Sequence, residues 1–185
     1  MKHSYIFLAD GFEEIEAMAP VDILRRAGMN PVLVSVNPTT EVTGAHSVKV
    51  TADCLITDVD LTPETEWLIL PGGMPGATNL AACGKLTGML TAQSERGGRI
   101  AAICAAPGVV LGQLGILDGR VATCYPGFES FAPDADFTGR PVEALDTLVT
   151  ANGPGAAMKF AYTIVALTKG QHTAADLQAA MMFRS

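Results

Sequence analysis

The chain has 185 residues, 49% hydrophobic and 17% charged, a length suited to one domain and a composition too apolar for disorder. Twelve Lys and Arg against 19 Asp and Glu leave a formal net charge of −7, which repels phosphate backbones and weighs against nucleic-acid binding. No apolar run approaches the roughly 18 uninterrupted residues a membrane helix needs, and the opening MKHSYIFLADGFEE has too short an apolar stretch, followed by acids, for a signal peptide. A single cytoplasmic domain over residues 1–185 is expected, with no membrane and no nucleic-acid partner.

In chain order, Ser4 to Ala9 is a short apolar run, and from Glu13 apolar residues recur with helical spacing at Ile15, Met18, Val21, Ile23 and Leu24. Strand, turn and helix follow, with Pro20 expected to kink the helix and Gly28 to end it. Pro31 to Asn37 predicts a second buried strand, and the two short alternating stretches from Glu41 to Ala52 around Gly44 predict a small hairpin or an excursion from the main sheet. Trp67 to Leu70 is a strand stopped by Pro71-Gly72-Gly73. A helix is predicted from about Cys83 to Glu95, a strand over RIAAIC (Arg99 to Cys104), and a helix over APGVVLGQLG. Strands are expected around Val121–Thr123, Val142–Ala144 and Leu148–Thr150, then helices at Gly155–Thr168 and Thr173–Met182. Repeated strand–helix units with non-alternating strands imply an α/β fold whose mostly parallel sheet has helices on both faces. Ligands then bind beyond the carboxyl ends of the strands.

Three segments end strands at that edge: Asp10 to Glu16, Pro71-Gly72-Gly73, and Cys104. A residue between a buried strand and a helix start sits on a tight turn facing unpaired N–H groups, the geometry of a nucleophile elbow, here with Cys in place of Ser. A free thiol near pKa ~8.5 is only a few per cent ionised at neutral pH, and a helix start is expected to lower that value. Set among Ala101 to Ala106, Cys104 also fits a small buried core residue. Cys54, Cys83 and Cys124 lack the strand-to-helix context, and the four cysteines form no CxxC pair or metal-ligand spacing. Free thiols and no metal are expected. The N–H groups at Gly72-Gly73 are placed to serve an oxyanion together with that of Ala105, although an ordinary turn explains the glycines too. Of the acidic residues in the first helix, Glu16 lies among Ile15, Ala17, Met18 and Ala19 and is the one expected to point inward. A carboxyl desolvated beside a thiolate keeps its proton and can act as general acid and base. For Glu13 and Glu14 a solvated acidic first turn suffices.

The segments ADGFEEIEAMAPVDILRRAGM, LILPGGMPGATNL, RIAAICAAPGVVL, ATCYPGFE and ANGPGAAMKFA together resemble the ThiJ/PfpI superfamily in order and spacing along nearly the whole chain. The glutamate-rich first helix and PVDILRRAG are most similar to the branch of the Parkinsonism-associated deglycase and its bacterial YajL-type relatives. The resemblance implies a flavodoxin-like three-layer sandwich, usually a homodimer, with Cys104 as oxidisable nucleophile, Glu16 as its protonated partner, and Gly73 and Ala105 as backbone donors. It implies no cofactor and a small aldehyde or a glycated protein as substrate, in glyoxalase or deglycase chemistry. The alternative it implies is a redox sensor or holdase chaperone of oxidative stress in which Cys104 becomes a sulfinate.

Three departures from the family pattern matter. Ala105 follows the cysteine where peptidase and amidotransferase branches have His, and none of His3, His46 or His172 begins an HxE, which disfavours both activities. Thr123-Cys124-Tyr125-Pro126 stands where relatives place a histidine after a Thr-Thr pair, so Tyr125 or Cys124 is expected to line the site with Gly72. Asn152 precedes Gly153-Pro154-Gly155 where some relatives have Arg, removing one possible anion contact.

Overall fold

A computed structural model describes residues 2–184. Its main sheet has seven strands: β1 (His3–Leu8), β2 (Val32–Ser35), β5 (Cys54–Leu55), β6 (Thr65–Leu70), β7 (Arg99–Ile103), β10 (Val142–Ala144) and β11 (Leu148–Ala151). They lie in the order β10-β11-β7-β6-β1-β2-β5, all pairs parallel except β10 with β11. The central strands are apolar on both faces because both faces are covered. Ile6 and Leu8 of β1, Trp67 and Ile69 of β6, and Ala101 and Ile103 of β7 join one core with α1 (Glu14–Arg26), α4 (Ala157–Lys169) and α5 (Gln171–Ala180). Their neighbours Phe7, Leu68, Leu70, Ile100 and Ala102 join a second core with α3 (Gly84–Glu95) on the other side. The chain is a flavodoxin-like α/β sandwich.

The short hairpin of β3 (Glu41–Thr43) and β4 (Lys49–Thr51) stands apart from the main sheet, as its sequence suggested. Pro20 is accommodated within α1, and Gly28 follows its end in the left-handed region at φ +69°. A helix absent from the sequence reading, α2 (Gly76–Ala82), precedes α3; its small residues carry too little apolar periodicity to reveal it. The segment after Cys104 differs from the regular helix expected. Pro107–Leu111 forms a π-turn and Gly112–Leu114 a 3₁₀ turn, with Gly108 against the Phe128 carbonyl and Gly112 against Phe131, where any side chain would collide. Of the expected strand at Val121–Thr123, β8 (Val121–Ala122) pairs only with β9 (Asp136–Phe137), outside the main sheet. Among the described residues no helix is long and apolar enough to cross a membrane.

Candidate active site

Adjacent strands β1, β6 and β7 end side by side, so the three segments that follow them converge. Cys104 takes up φ +66°, a left-handed conformation that costs a non-glycine residue about 1–2 kcal/mol. Backbone bonds on both sides hold it there: its N–H donates to Ala151 O at 2.8 Å and its carbonyl accepts the Tyr125 N–H at 2.8 Å. The turn projects the thiol, half-buried, against Ala77, Ala105 and Val109.

Glu16 arrives from the first turns of α1 and is 1% exposed. Its Oε2 accepts the Gly72 N–H at 2.8 Å, while Oε1 is buried with no hydrogen-bond partner of good geometry. Gly72 lets helix and strand end meet: a Cβ there would lie 2.6 Å from Cys104 Cβ and 2.7 Å from Glu16 Oε2. Gly73, at φ +87°, turns the chain back so that Glu13 N–H reaches Gly72 O at 2.9 Å.

Burial pushes the Glu16 carboxyl up to about 7, the charge of Glu13 adding to it while Cys104 and the Gly72 N–H oppose. Burial, then the charge and hydrogen bond of Glu16, push the Cys104 thiol up to about 12, against the Gly73 and Ala105 N–H groups. This reverses the lowered thiol value expected from a helix start. Desolvation penalises the thiolate, and the π and 3₁₀ turns that follow supply little of the dipole of a regular helix. The push from Glu16 exists only when Glu16 is charged. Two negative charges side by side are costly, so the pair shares a single charge over a wide pH range and titrates as a unit.

Each residue singled out from the sequence has a definite place. Cys104, Glu16, Gly72, Gly73 and Ala105 come together. The Tyr125 side chain is 46% exposed, edge-on to Phe128. Cys124 is buried, its thiol raised to about 12 by burial and by Glu129, and it is not among the groups acting on Cys104. All four cysteines are free.

The solvated acidic first turn expected of Glu13 and Glu14 is not what forms. Glu13 is 8% exposed. Glu14 Oε1 accepts the N–H of His46 at 2.7 Å and of Val48 at 3.4 Å, and the His46 imidazole Nδ1 lies 2.9 Å from Glu14 Oε2 and 3.2 Å from Glu13 Oε2. These contacts fasten the β3–β4 hairpin to the start of α1. Although partial burial pushes the other way, the bonds from His46 and Val48 hold Glu14 below the ordinary carboxylate range. The hydrogen bond to Glu14 and then the charge of Glu13 raise His46. Donor atoms of Glu13, Glu14 and His46 lie within 4.8 Å of one another, close enough to share a cation. The partners are more than thirty residues apart, and no local pattern announces them.

Residues 2–167 match the DJ-1/PfpI family. The chain belongs to that family. It is 36% identical to Protein DJ-1 homolog B of Arabidopsis thaliana over 99% of its own length, but spans only 42% of that longer protein. It is 34% identical to the glutathione-independent glyoxalase DJR-1.2 of Caenorhabditis elegans, over 85% of this chain and 83% of that one. The solved structure of oxidised Toxoplasma gondii DJ-1 superposes with a TM-score of 0.95 at 34% identity, with full coverage of both chains.

Proposed function

We propose that the protein acts on reactive carbonyls, with Cys104 as nucleophile and Glu16 as the proton donor and acceptor. The observation that carries this reading is the buried Glu16 carboxyl, raised to about 7, beside a half-buried thiol on a left-handed turn. A carboxyl poised near the working pH transfers protons in both directions. With methylglyoxal, the Cys104 sulfur attacks the aldehyde carbon and forms an S–C bond. The carbonyl electron pair moves to oxygen, which takes the proton of the pair, giving a hemithioacetal. The Gly73 and Ala105 N–H groups, which act on the sulfur in the free protein, lie close to the charge that moves during this step. Glu16 then removes the proton from the former aldehyde carbon and returns one to the neighbouring ketone carbon. This oxidises the first carbon to a thioester and reduces the second to an alcohol. Water cleaves the thioester, releasing lactate and the thiol, so the net reaction consumes one water and no external oxidant. From a glycated amine, a hemiaminal, the sulfur bonds to the same carbon as the C–N bond breaks and the amine leaves with the proton of the pair, giving the same hemithioacetal.

The test is lactate production from methylglyoxal by wild type, Cys104→Ser and Glu16→Gln. Wild type exceeds the Ser variant by at least about a hundredfold if the thiol is the nucleophile; equal rates would overturn the reading.

A second reading has its own observation. Glu16 faces the Cys104 sulfur and its Oε1 bonds no other group, and two backbone N–H groups address the sulfur, a set of groups able to hold the oxygens of a Cys104 sulfinate. In this redox-sensor or holdase role, mild peroxide adds two oxygens to Cys104. Modification of another cysteine with Cys104 unchanged would contradict it.

The active form in this proposal is a homodimer. Ile15 on α1 is 56% exposed and Val48 on the hairpin 52%; the Glu14–His46 contacts join their two elements, and two apolar side chains held on one rigid surface suit a self-complementary contact.

A further inference from the structure

β8 lies against the main sheet without pairing to it, and a threonine takes the place of the missing backbone bonds. Ala122 of β8 packs in the same core as Leu148 of β11, while β8 itself pairs only with β9. Strand backbone groups point in the plane of a sheet and side chains stand off its faces, so a segment laid over a face is reached by side chains. Alternation puts Thr150 on the same face as Leu148. Its Oγ1 accepts the Thr123 N–H at 2.9 Å, and both residues are at most 1% exposed. Two residues on, the Tyr125 N–H reaches Cys104 O at 2.8 Å. Among the described residues, these two bonds tie the Thr123–Tyr125 segment to β11 and to the turn after β7.

The bond to Cys104 O reaches the chemistry through one peptide plane. The Cys104 carbonyl and the Ala105 N–H belong to the same planar trans unit and point in opposite directions. Fixing the oxygen on Tyr125 therefore fixes where the Ala105 N–H points, and that N–H is one of the two that act on the sulfur. The other side of Cys104 is held by Ala151 O, next to Thr150 on the same strand. β11 thus grips both sides of the φ +66° turn, directly through Ala151 and at one remove through Thr150. Without the hydroxyl the Thr123 N–H would be buried with no partner, and the segment would shift to find one.

We propose that Thr150 is a positioning residue for Cys104, its hydroxyl oxygen aiming the Ala105 N–H through Thr123, Tyr125 and the Cys104 carbonyl. The inference rests on Cys104 as the nucleophile of the preceding section. Thr150 is itself buried away from any substrate. It acts on the reaction by keeping a hydrogen-bond donor turned to the sulfur and to the oxygen that takes up charge in the addition step.

Alkylation of Cys104 by iodoacetamide, in which the sulfur bonds the CH2 carbon and iodide leaves, tests it in Thr150→Val and Thr150→Ser. Valine keeps the shape and loses the acceptor, whereas serine keeps the acceptor. Second-order rates are read from the mass of the Cys104 peptide at pH 7. Thr150→Val reacts about tenfold more slowly than wild type, the fall in thiolate when one of its donors turns away, and Thr150→Ser stays within about twofold. The sign separates positioning from a merely structural role, because a loosened fold exposes the thiol and speeds alkylation. In lactate formation from methylglyoxal, Thr150→Val lowers kcat by about a hundredfold with KM little changed. Should Thr150→Val fail to fold, amide exchange in wild type decides: the Thr123 and Tyr125 N–H groups, corrected for intrinsic rates, open as one unit at rates within about threefold. A folded Val variant alkylated at the wild-type rate or faster, a Ser variant as slow as Val, or a Tyr125 amide exchanging more than about tenfold faster than that of Thr123 would overturn the proposal. Alkylation needs no turnover, so slowed alkylation in Thr150→Val beside a wild type that forms no lactate would overturn the glyoxalase reading alone.

Discussion

Gly72 donates its N–H to Glu16 Oε2 at 2.8 Å across a gap that no side chain on Gly72 would fit. This one contact carries a carboxyl from a helix to the end of a strand, dries it, and presents it to the sulfur of Cys104.

Removing the titration of Glu16 stabilises the fold in a pH-dependent way. A carboxyl raised from ~4.3 in the unfolded chain to about 7 in the fold contributes stability that is fully present below ~4.3 and lost as pH rises through about 7. Glu16→Gln, which does not titrate, therefore gains on wild type by about 2–3 kcal/mol between pH 4 and pH 8. Urea denaturation at the two pH values measures the difference; a constant gap between the proteins would mean that Glu16 ionises normally.

Adding one methyl group at Gly72 separates the pair. Gly72→Ala places a Cβ against Cys104 Cβ and Glu16 Oε2, both anchored by backbone. Overpacking of this kind costs about 1–3 kcal/mol, and a shift of about 1 Å between reacting groups costs about a hundredfold in rate. Thermal unfolding and lactate kinetics give the two numbers, and unaltered kinetics would show that the contact does not set the geometry of the site.

The hairpin loosens at alkaline pH. His46 is raised above ~6.5 by Glu14 and Glu13, so the stability it contributes is present below ~6.5 and is lost as pH rises through its elevated value. Amide exchange at His46 and Val48, corrected for the intrinsic increase with pH, accelerates between pH 6 and 9 in wild type and is flat in His46→Gln. Identical corrected profiles would remove His46 as the clasp.

Much of this architecture is legible from residue order. Apolar runs at Ser4–Ala9, Trp67–Leu70 and Arg99–Ile103, each ended by a turn, identified the strands and the edge where chemistry collects, and the apolar neighbours of Glu16 marked it as inward-facing. Besides α2, three features were not legible, for physical reasons. The thiol value of Cys104 depends on desolvation, which is a tertiary quantity. The π-turn after it answers to Phe128 and Phe131, packed on Gly108 and Gly112 from outside the segment. The bond between Glu14 and His46 spans 32 residues, so a locally adequate solvated helix start concealed a fastened hairpin.

The proposed dimer is built on the patch around that hairpin. Ile15→Glu with Val48→Glu places two carboxylates where two apolar side chains lie exposed, and sedimentation of the doubly substituted protein reports a monomer where wild type reports a dimer. A wild-type monomer at micromolar concentration would remove the dimer from the account.

The most direct measurement is 13C NMR of the protein mixed with stoichiometric aldehyde-labelled methylglyoxal. Wild type passes through a protein-bound hemithioacetal to lactate, Glu16→Gln accumulates the hemithioacetal without lactate, and Cys104→Ser forms neither. A bound adduct that persists in Cys104→Ser, or lactate formed by that variant at the wild-type rate, would contradict the assignment of Cys104 as nucleophile.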